Sequence, residues 1–363
     1  MNVTDKLYTE WAWRSKTGTP SMDNPEDKAI LDKLIAELTE QTESPYSQLQ
    51  GNIAKIKDDP EAVEYLNRYV NSRRFRGPFN EYIAKQNIDS GTLEDTNAPD
   101  AIFNILSKNG DLEKYMENLD KLPGFGSLGS KGNLVAALDS IVSAESANAL
   151  IRLGGTEGGR GVGKAELGLA TLCKDVQMMK GEAGDLNWNG KYLEVKGTAA
   201  RLGKRDRKFP GFDRSDLGIL ASKYDKSDTN LSTLITNLSN ETDINLDELL
   251  NATINFAKTA HPKGNAENYF TKEILNNTKE LNTAFFKNMA EDYIISNSIE
   301  HFLIWNTKPT TLASGKSGGN NFGDYVHFPA SEMNNMLDNG TVRFSPLSVN
   351  GLDPSLSGGV PYL

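Results

Sequence analysis

A β-hairpin predicted around Asn189-Gly190 constrains the fold of this chain more than any other segment. This dipeptide strongly favours a two-residue turn, because both central residues of such a turn take positive φ angles. If these two residues form the loop, Trp188 faces Lys191 across the hairpin. Counting outward from that pair places Asp185 opposite Glu194.

That register brings acidic side chains together. Cross-strand partners have Cβ atoms about 5 Å apart, so the carboxylates of Asp185 and Glu194 repel each other. Because side chains alternate along a strand, Glu194 and Lys196 share one face of the hairpin. The neighbouring Leu193 and Val195 form an apolar underside. A divalent cation would turn the repulsion between the acids into a binding site.

Composition excludes several classes of function. The 363 residues are 37% hydrophobic, which fits a globular protein with room for more than one core. We expect no membrane partner and no secretory signal, since neither a long apolar window nor a basic leader occurs. The expected location is the cytoplasm of a bacterial host cell or a virion. Cys173 is the single cysteine, which excludes internal disulfides and thiolate-rich zinc sites.

The net charge of −10 does not exclude a nucleic-acid partner, because phosphate binding depends on local charge. One basic run follows the hairpin, and a second surrounds Phe75 in the N-terminal third. The second run has an alternative interpretation as the solvated end of a helix. The basic residues of the two runs are Arg201, Lys204, Arg205, Arg207 and Lys208, and Arg73, Arg74 and Arg76.

Helical periodicity and turn residues predict the domain organisation. A helical N-terminal domain is expected over residues 1–148 and an α/β core over 149–222 plus 300–347. A helical insertion (223–299) interrupts the core, and 348–363 form an extended tail. Within the core, a helix is predicted from Lys164 to Lys180, with Glu166 in its first turn, where an acid suits the helix dipole.

The order Glu166, then Gly184-Asp185, then Glu194-Val195-Lys196 resembles the PD-(D/E)XK nuclease superfamily. The resemblance covers roughly residues 163–208, and Gly184 stands where the family has proline. It implies an α/β fold with a restriction-endonuclease-like mixed-sheet core. It also implies a metal-dependent nuclease that hydrolyses DNA phosphodiester bonds, with endonuclease favoured over exonuclease.

The resemblance implies a role for each residue of the pattern. Asp185 and Glu194 are the expected metal ligands, joined by the Val195 backbone carbonyl and by Glu166, the auxiliary acid. Lys196 is expected to orient or activate the attacking water. Hard oxygen ligands select Mg²⁺, for which Mn²⁺ can substitute. The expected partner is DNA in a phage setting, and a homo-oligomer or a phage-particle protein is left open as a protein partner.

Two alternatives remain at this stage. One is a non-catalytic DNA-binding or virion structural protein on the same fold. The other is a nucleotide-binding P-loop at 158–165, with a preceding strand at 149–153, although Ala165 stands where a Ser or Thr hydroxyl is needed. A third interpretation of these glycines places DNA phosphates against Arg160 and Lys164.

Overall fold

The computed structural model describes residues 11–12, 14–15, 21, 24–40, 60–88, 97–154, 163–179, 185–197, 202, 212–307 and 321–342. The chain divides into two compact units, Met1–Gly77 and Pro78–Leu363. None of the helices within the described ranges is both long and apolar enough to cross a membrane. The predicted tail, 348–363, lies outside the described residues.

The first unit contains the helix α1 (Pro25–Glu40) and most of the helix α2 (Pro60–Lys85). Helical spacing in the sequence predicts two separate helices here, at 60–71 and 78–86. The structure has one helix, which continues through Pro78. A proline inside a helix removes one backbone hydrogen bond but does not always end the helix.

The second unit begins with short helices and one short strand. The elements are α3 (Ala98–Lys108), α4 (Leu112–Glu117), β1 (Lys131–Asn133), α5 (Leu134–Leu138), α6 (Ala144–Arg152) and α7 (Glu166–Leu172). Capping explains where α5 and α6 begin, since the side chains of Asn133 and Ser143 accept hydrogen bonds from their first turns.

One mixed sheet, with six strands in the described residues, forms the centre of this unit. The strands after β1 are β2 (Val176–Met178), β3 (Leu186–Trp188), β4 (Lys191–Gly197), β5 (His301–Trp305) and β6 (Asp324–Pro329). Their order is β1-β6-β5-β4-β3-β2. The strands β4 and β5 are parallel, and the other neighbouring pairs are antiparallel. An α/β fold with a mixed sheet is therefore confirmed.

The predicted boundary between the helical N-terminal domain and the core, at 148/149, falls inside α6. The strand β1, which belongs to the predicted N-terminal domain, pairs with β6 of the predicted core. A strand of three residues is too short for its alternation to be recognised in sequence.

Parallel strands need a long crossover, and the helices between β4 and β5 supply it. These are α8 (Asp216–Lys223), α9 (Leu231–Ser239), α10 (Leu246–Ala260) and α11 (Thr278–Ser296). They share a hydrophobic core that includes Leu217, Leu234, Phe256 and Phe285. The helical stretch expected at 223–299 thus has a core of its own.

The helix α11 also packs on the sheet. Its Phe286, Met289 and Ala290 join Phe302 and Ile304 of β5 in a second hydrophobic cluster, which continues into β6 and the final helix, α12 (Met333–Asp338). One long helix is therefore buried in two cores, and it connects the insertion to the face of the sheet that carries Glu194.

Two predictions for the stretch before the hairpin are wrong. The helix predicted to reach Lys180 ends at Leu172, and β2 replaces its second half. In β2, Val176 and Met178 are buried and Gln177 is exposed, which is the alternation of a strand. The strand proposed at 149–153 is the end of α6, where Leu150 and Ile151 are buried.

Candidate active site

The hairpin forms in the predicted register. Asn189 and Gly190 have φ angles of 51° and 85°, as the two-residue turn requires. Trp188 pairs with Lys191, and Leu186 pairs with Leu193. One residue further, Asp185 donates its N–H to the Leu193 carbonyl at 3.3 Å. Asp185 therefore stands at the open end of the hairpin, one residue beyond the last strand pair, so its predicted pairing with Glu194 is not part of the ladder.

The two acids of the hairpin share one ammonium. Lys196 Nζ lies 3.6 Å from Asp185 Oδ2 and in ion-pair contact with Glu194 Oε1. The N–H of Val195 donates to Asp185 Oδ2 at 2.8 Å. Because the N–H and C=O of one strand residue point to the same edge of the strand, the Val195 carbonyl lies on the Asp185 side.

Burial makes this arrangement electrostatically costly. Glu194 is 2% exposed, whereas the side chains of Lys196 and Asp185 are 17% and 23% exposed. Burial raises the pKa of the Asp185 carboxyl to about 6, against the opposing effect of Lys196, and the Glu194 carboxylate adds to the rise. Burial lowers the pKa of the Lys196 ammonium, but Asp185 and Glu194 outweigh it, and the net shift is upward.

Glu166 adds a third carboxyl, which lies in the electrostatic field of Asp185, Glu194 and Lys196. It is the first residue of α7 and is 7% exposed. Burial, followed by the nearby Asp185 carboxylate, raises its pKa well above the ordinary value, and Lys196 and Gly163 act in the opposite direction. Lys196 is the one basic side chain within the described residues in ion-pair contact with the hairpin acids. With all three carboxyls ionised, they and the ammonium would carry a net charge of −2, which one divalent cation would balance.

The residues present fit a hard divalent cation by their chemistry. All the candidate ligands are oxygen donors, which Mg²⁺ and Mn²⁺ prefer. An ammonium already lies between the two hairpin carboxylates, so these acids converge on a shared cation. No ready-made group of three or more His, Cys, Asp or Glu side chains occurs within the described ranges. A cation bound here would therefore require Lys196 and the acids to move from their ion-paired positions.

No protein-family model, curated protein or solved structure matches this chain.

The position of Glu166 depends on a glycine. A Cβ added at Gly163 would lie 2.1 Å from Glu166 Oε1, so any larger residue must displace the carboxyl. We expect Gly163→Ala to fold normally, because the displaced group is the end of a flexible side chain. If this is the nuclease site that the sequence predicts, DNA cleavage should fall about 10- to 100-fold, the usual effect of disturbing a supporting group at a metal site.

This prediction is checked by cleavage rates and thermal melting of Gly163→Ala, Glu166→Gln and the double variant. If the glycine acts through the acid, the double variant cleaves no more slowly than Glu166→Gln. Gly77→Ala is the matched control, since a Cβ there meets nothing within 4 Å. If Gly163→Ala cleaved DNA at the wild-type rate, Glu166 would not be part of the active site.

Sequence analysis misses Tyr293, whose hydroxyl donates to Glu194 Oε1 from α11, 99 residues further along the chain. Two histidines that are distant in sequence, His301 and His327, also stack with their rings 5.2 Å apart. His327 Nε2 lies 3.2 Å from His301 Nδ1. Neither arrangement has a local sequence signal, because each depends on the packing of distant elements.

The predicted DNA-binding residues are distributed unevenly. Lys164 is exposed directly before α7. Arg73, Arg74 and Arg76 lie on α2 in the first unit. Arg74 lies over the Phe75 ring, 4.7 Å from its centre, and Phe75 is buried, so this ring is not accessible for stacking on nucleobases. The others lie outside the described residues: Arg160, Arg201, Lys204, Arg205, Arg207 and Lys208.

Proposed function

We propose that this protein is a divalent-metal-dependent nuclease that hydrolyses DNA phosphodiester bonds. The observation that carries the proposal is the convergence of Asp185, Glu194 and Lys196 at the open end of one hairpin, with Glu166 in the same field. A structural hairpin gains nothing from two acids that share one base beside a third buried carboxyl, since excess negative charge is costly when buried. The resemblance to the PD-(D/E)XK superfamily assigns these same residues to catalysis.

Each residue of the site has its own proposed role in the reaction. Asp185, Glu194, the Val195 carbonyl and Glu166 would hold Mg²⁺, which when bound would supply positive charge to stabilise the phosphoryl oxygens. Lys196 would orient the attacking water through its ammonium, or would take a proton from that water at Nζ in its neutral amine form. Val195 keeps Asp185 aimed into the site by donating its N–H to Oδ2. DNA would reach Lys164 and the basic run after β4 through its phosphates.

A specific observation also favours a rival function. Lys196 lies between two acids, and such an ion triad can be a purely structural feature of a DNA-binding or virion protein. In that case the protein binds DNA without cutting it, and Mg²⁺ leaves its stability unchanged. The P-loop alternative requires a strand at 149–153, but residues 149–152 are helical.

Cleavage of closed circular and linear DNA in Mg²⁺, Mn²⁺ or EDTA tests the proposal. We expect both substrates to be cut with either metal and neither to be cut in EDTA, because the acids cannot neutralise a phosphate without a cation. Cutting of the closed circle identifies an endonuclease. Intact DNA in both metals, with DNA binding retained in a gel-shift assay, would favour the structural rival instead.

A further inference from the structure

Tyr293 reaches the proposed site from α11, and we propose that it is a positioning residue for Glu194. The inference rests on the proposed function and adds to it a residue from the helical insertion. The Tyr293 hydroxyl donates a hydrogen bond to Glu194 Oε1, the oxygen that Lys196 Nζ also contacts. Two donors therefore act on one oxygen of a nearly fully buried carboxylate.

The helix that carries Tyr293 is held on two sides. Leu281, Ala284 and Phe285 are buried in the core of the insertion. Phe286, Met289 and Ala290 pack on the sheet, and Tyr293 borders the same cluster. Close packing of this kind allows little movement of the backbone, so the hydroxyl has a defined position above β4.

A fixed donor on Oε1 has a chemical consequence. It restricts Glu194 to one orientation and leaves Oε2 as the oxygen that we assign to the cation. Without it, a glutamate side chain must lose rotamer freedom when the cation binds, which weakens binding. Groups that orient metal ligands in this way affect metal affinity by about 10- to 100-fold. The insertion thereby contributes to the metal site although none of its residues is a ligand.

Calorimetric titration with Mn²⁺ alone, without DNA, measures this effect directly. We expect Tyr293→Phe to bind Mn²⁺ about tenfold more weakly than the wild type, since only the hydroxyl is lost. Tyr269→Phe is the matched control, because its hydroxyl also contacts a glutamate of α11, Glu291, at 3.1 Å. That variant should bind Mn²⁺ with wild-type affinity.

Cleavage kinetics separate positioning from a structural defect. In Tyr293→Phe, the Mn²⁺ concentration for half-maximal cleavage should rise about tenfold, and the rate at saturating Mn²⁺ should match the wild type. A fold defect would instead lower the rate at every Mn²⁺ concentration, which would overturn the proposal.

The role of Tyr293 and the nuclease activity can be refuted separately. Equal Mn²⁺ affinity in Tyr293→Phe and a metal-binding wild type would refute the role of Tyr293 and leave the nuclease proposal intact. A wild type that binds no Mn²⁺ would refute the nuclease proposal, and the role of Tyr293 with it.

Discussion

Replacing Lys196 by methionine is expected to slow Mg²⁺-dependent DNA cleavage by about 10²–10⁴-fold, the range typical for removing a group that transfers a proton. Methionine keeps the apolar stem and removes only the charge. In EDTA the same variant should lose about 3–5 kcal/mol of unfolding free energy, because Asp185 and Glu194 then remain buried without a base. Activity assays and urea unfolding measure the two effects.

Mg²⁺ should restore part of the stability that Lys196→Met loses, but it should not restore cleavage. With Lys196 gone, the acids bind the cation in its place, so Mg²⁺ should stabilise Lys196→Met more than it stabilises the wild type. The control is Lys191→Met on the same strand, whose ammonium is exposed and lies 5.5 Å from the ring centre of Trp188. That change should alter stability by less than about 0.5 kcal/mol and leave cleavage unchanged. A Lys196→Met protein that Mg²⁺ does not stabilise would support the structural rival.

Replacing Asp185 by asparagine is expected to reduce cleavage by about 10³-fold, since the charge that a bound cation supplies is worth several kcal/mol of transition-state stabilisation. The variant should nevertheless fold. Asparagine keeps the shape of the side chain and an oxygen that can accept the Val195 N–H, and Lys196 keeps Glu194 as a partner. Cleavage rates and Mn²⁺ titration test the first claim, and thermal melting tests the second.

In EDTA, the raised pKa of Asp185 should also make the stability of the folded protein depend on pH. A carboxyl with a pKa of about 6 in the folded state and an ordinary value of 3.8 binds its proton more tightly when folded. Its contribution to stability is therefore complete below about pH 3.8 and is lost as the pH rises through about 6. Asp185→Asn should remove this contribution, so that its stability falls less than that of the wild type between these pH values.

Asp175→Asn serves as the comparison, because it should change stability and leave cleavage unaffected, the opposite of Asp185→Asn. Asp175 accepts hydrogen bonds from the Phe125 N–H at 2.7 Å and the Trp188 indole N–H at 3.0 Å, at the turn end of the hairpin. Its replacement should lower stability and leave the cleavage rate of the folded protein unchanged. If Asp185→Asn instead lost stability at neutral pH and kept its cleavage activity, Asp185 would be a structural acid.

The elements that sequence analysis predicts correctly are those that depend on near neighbours. The turn at Asn189-Gly190 and the pairing of Trp188 with Lys191 follow from local φ preferences. Strand alternation then places Glu194 and Lys196 together. The helix predicted through Lys180 is wrong because a three-residue strand, β2, is stabilised by pairing with β3 and has little signal of its own.

The sequence by itself determined the composition of the candidate site, since hairpin register and the two-residue period of a strand bring Asp185, Glu194 and Lys196 to one patch. Only the tertiary structure decided how deeply these charges are buried and which further groups face them. The Tyr293 hydroxyl comes from a helix nearly a hundred residues away, and Glu166 enters the same field through the packing of α7. The physical reason is that burial and long-range contacts depend on how whole elements pack, whereas a turn depends on the residues within it.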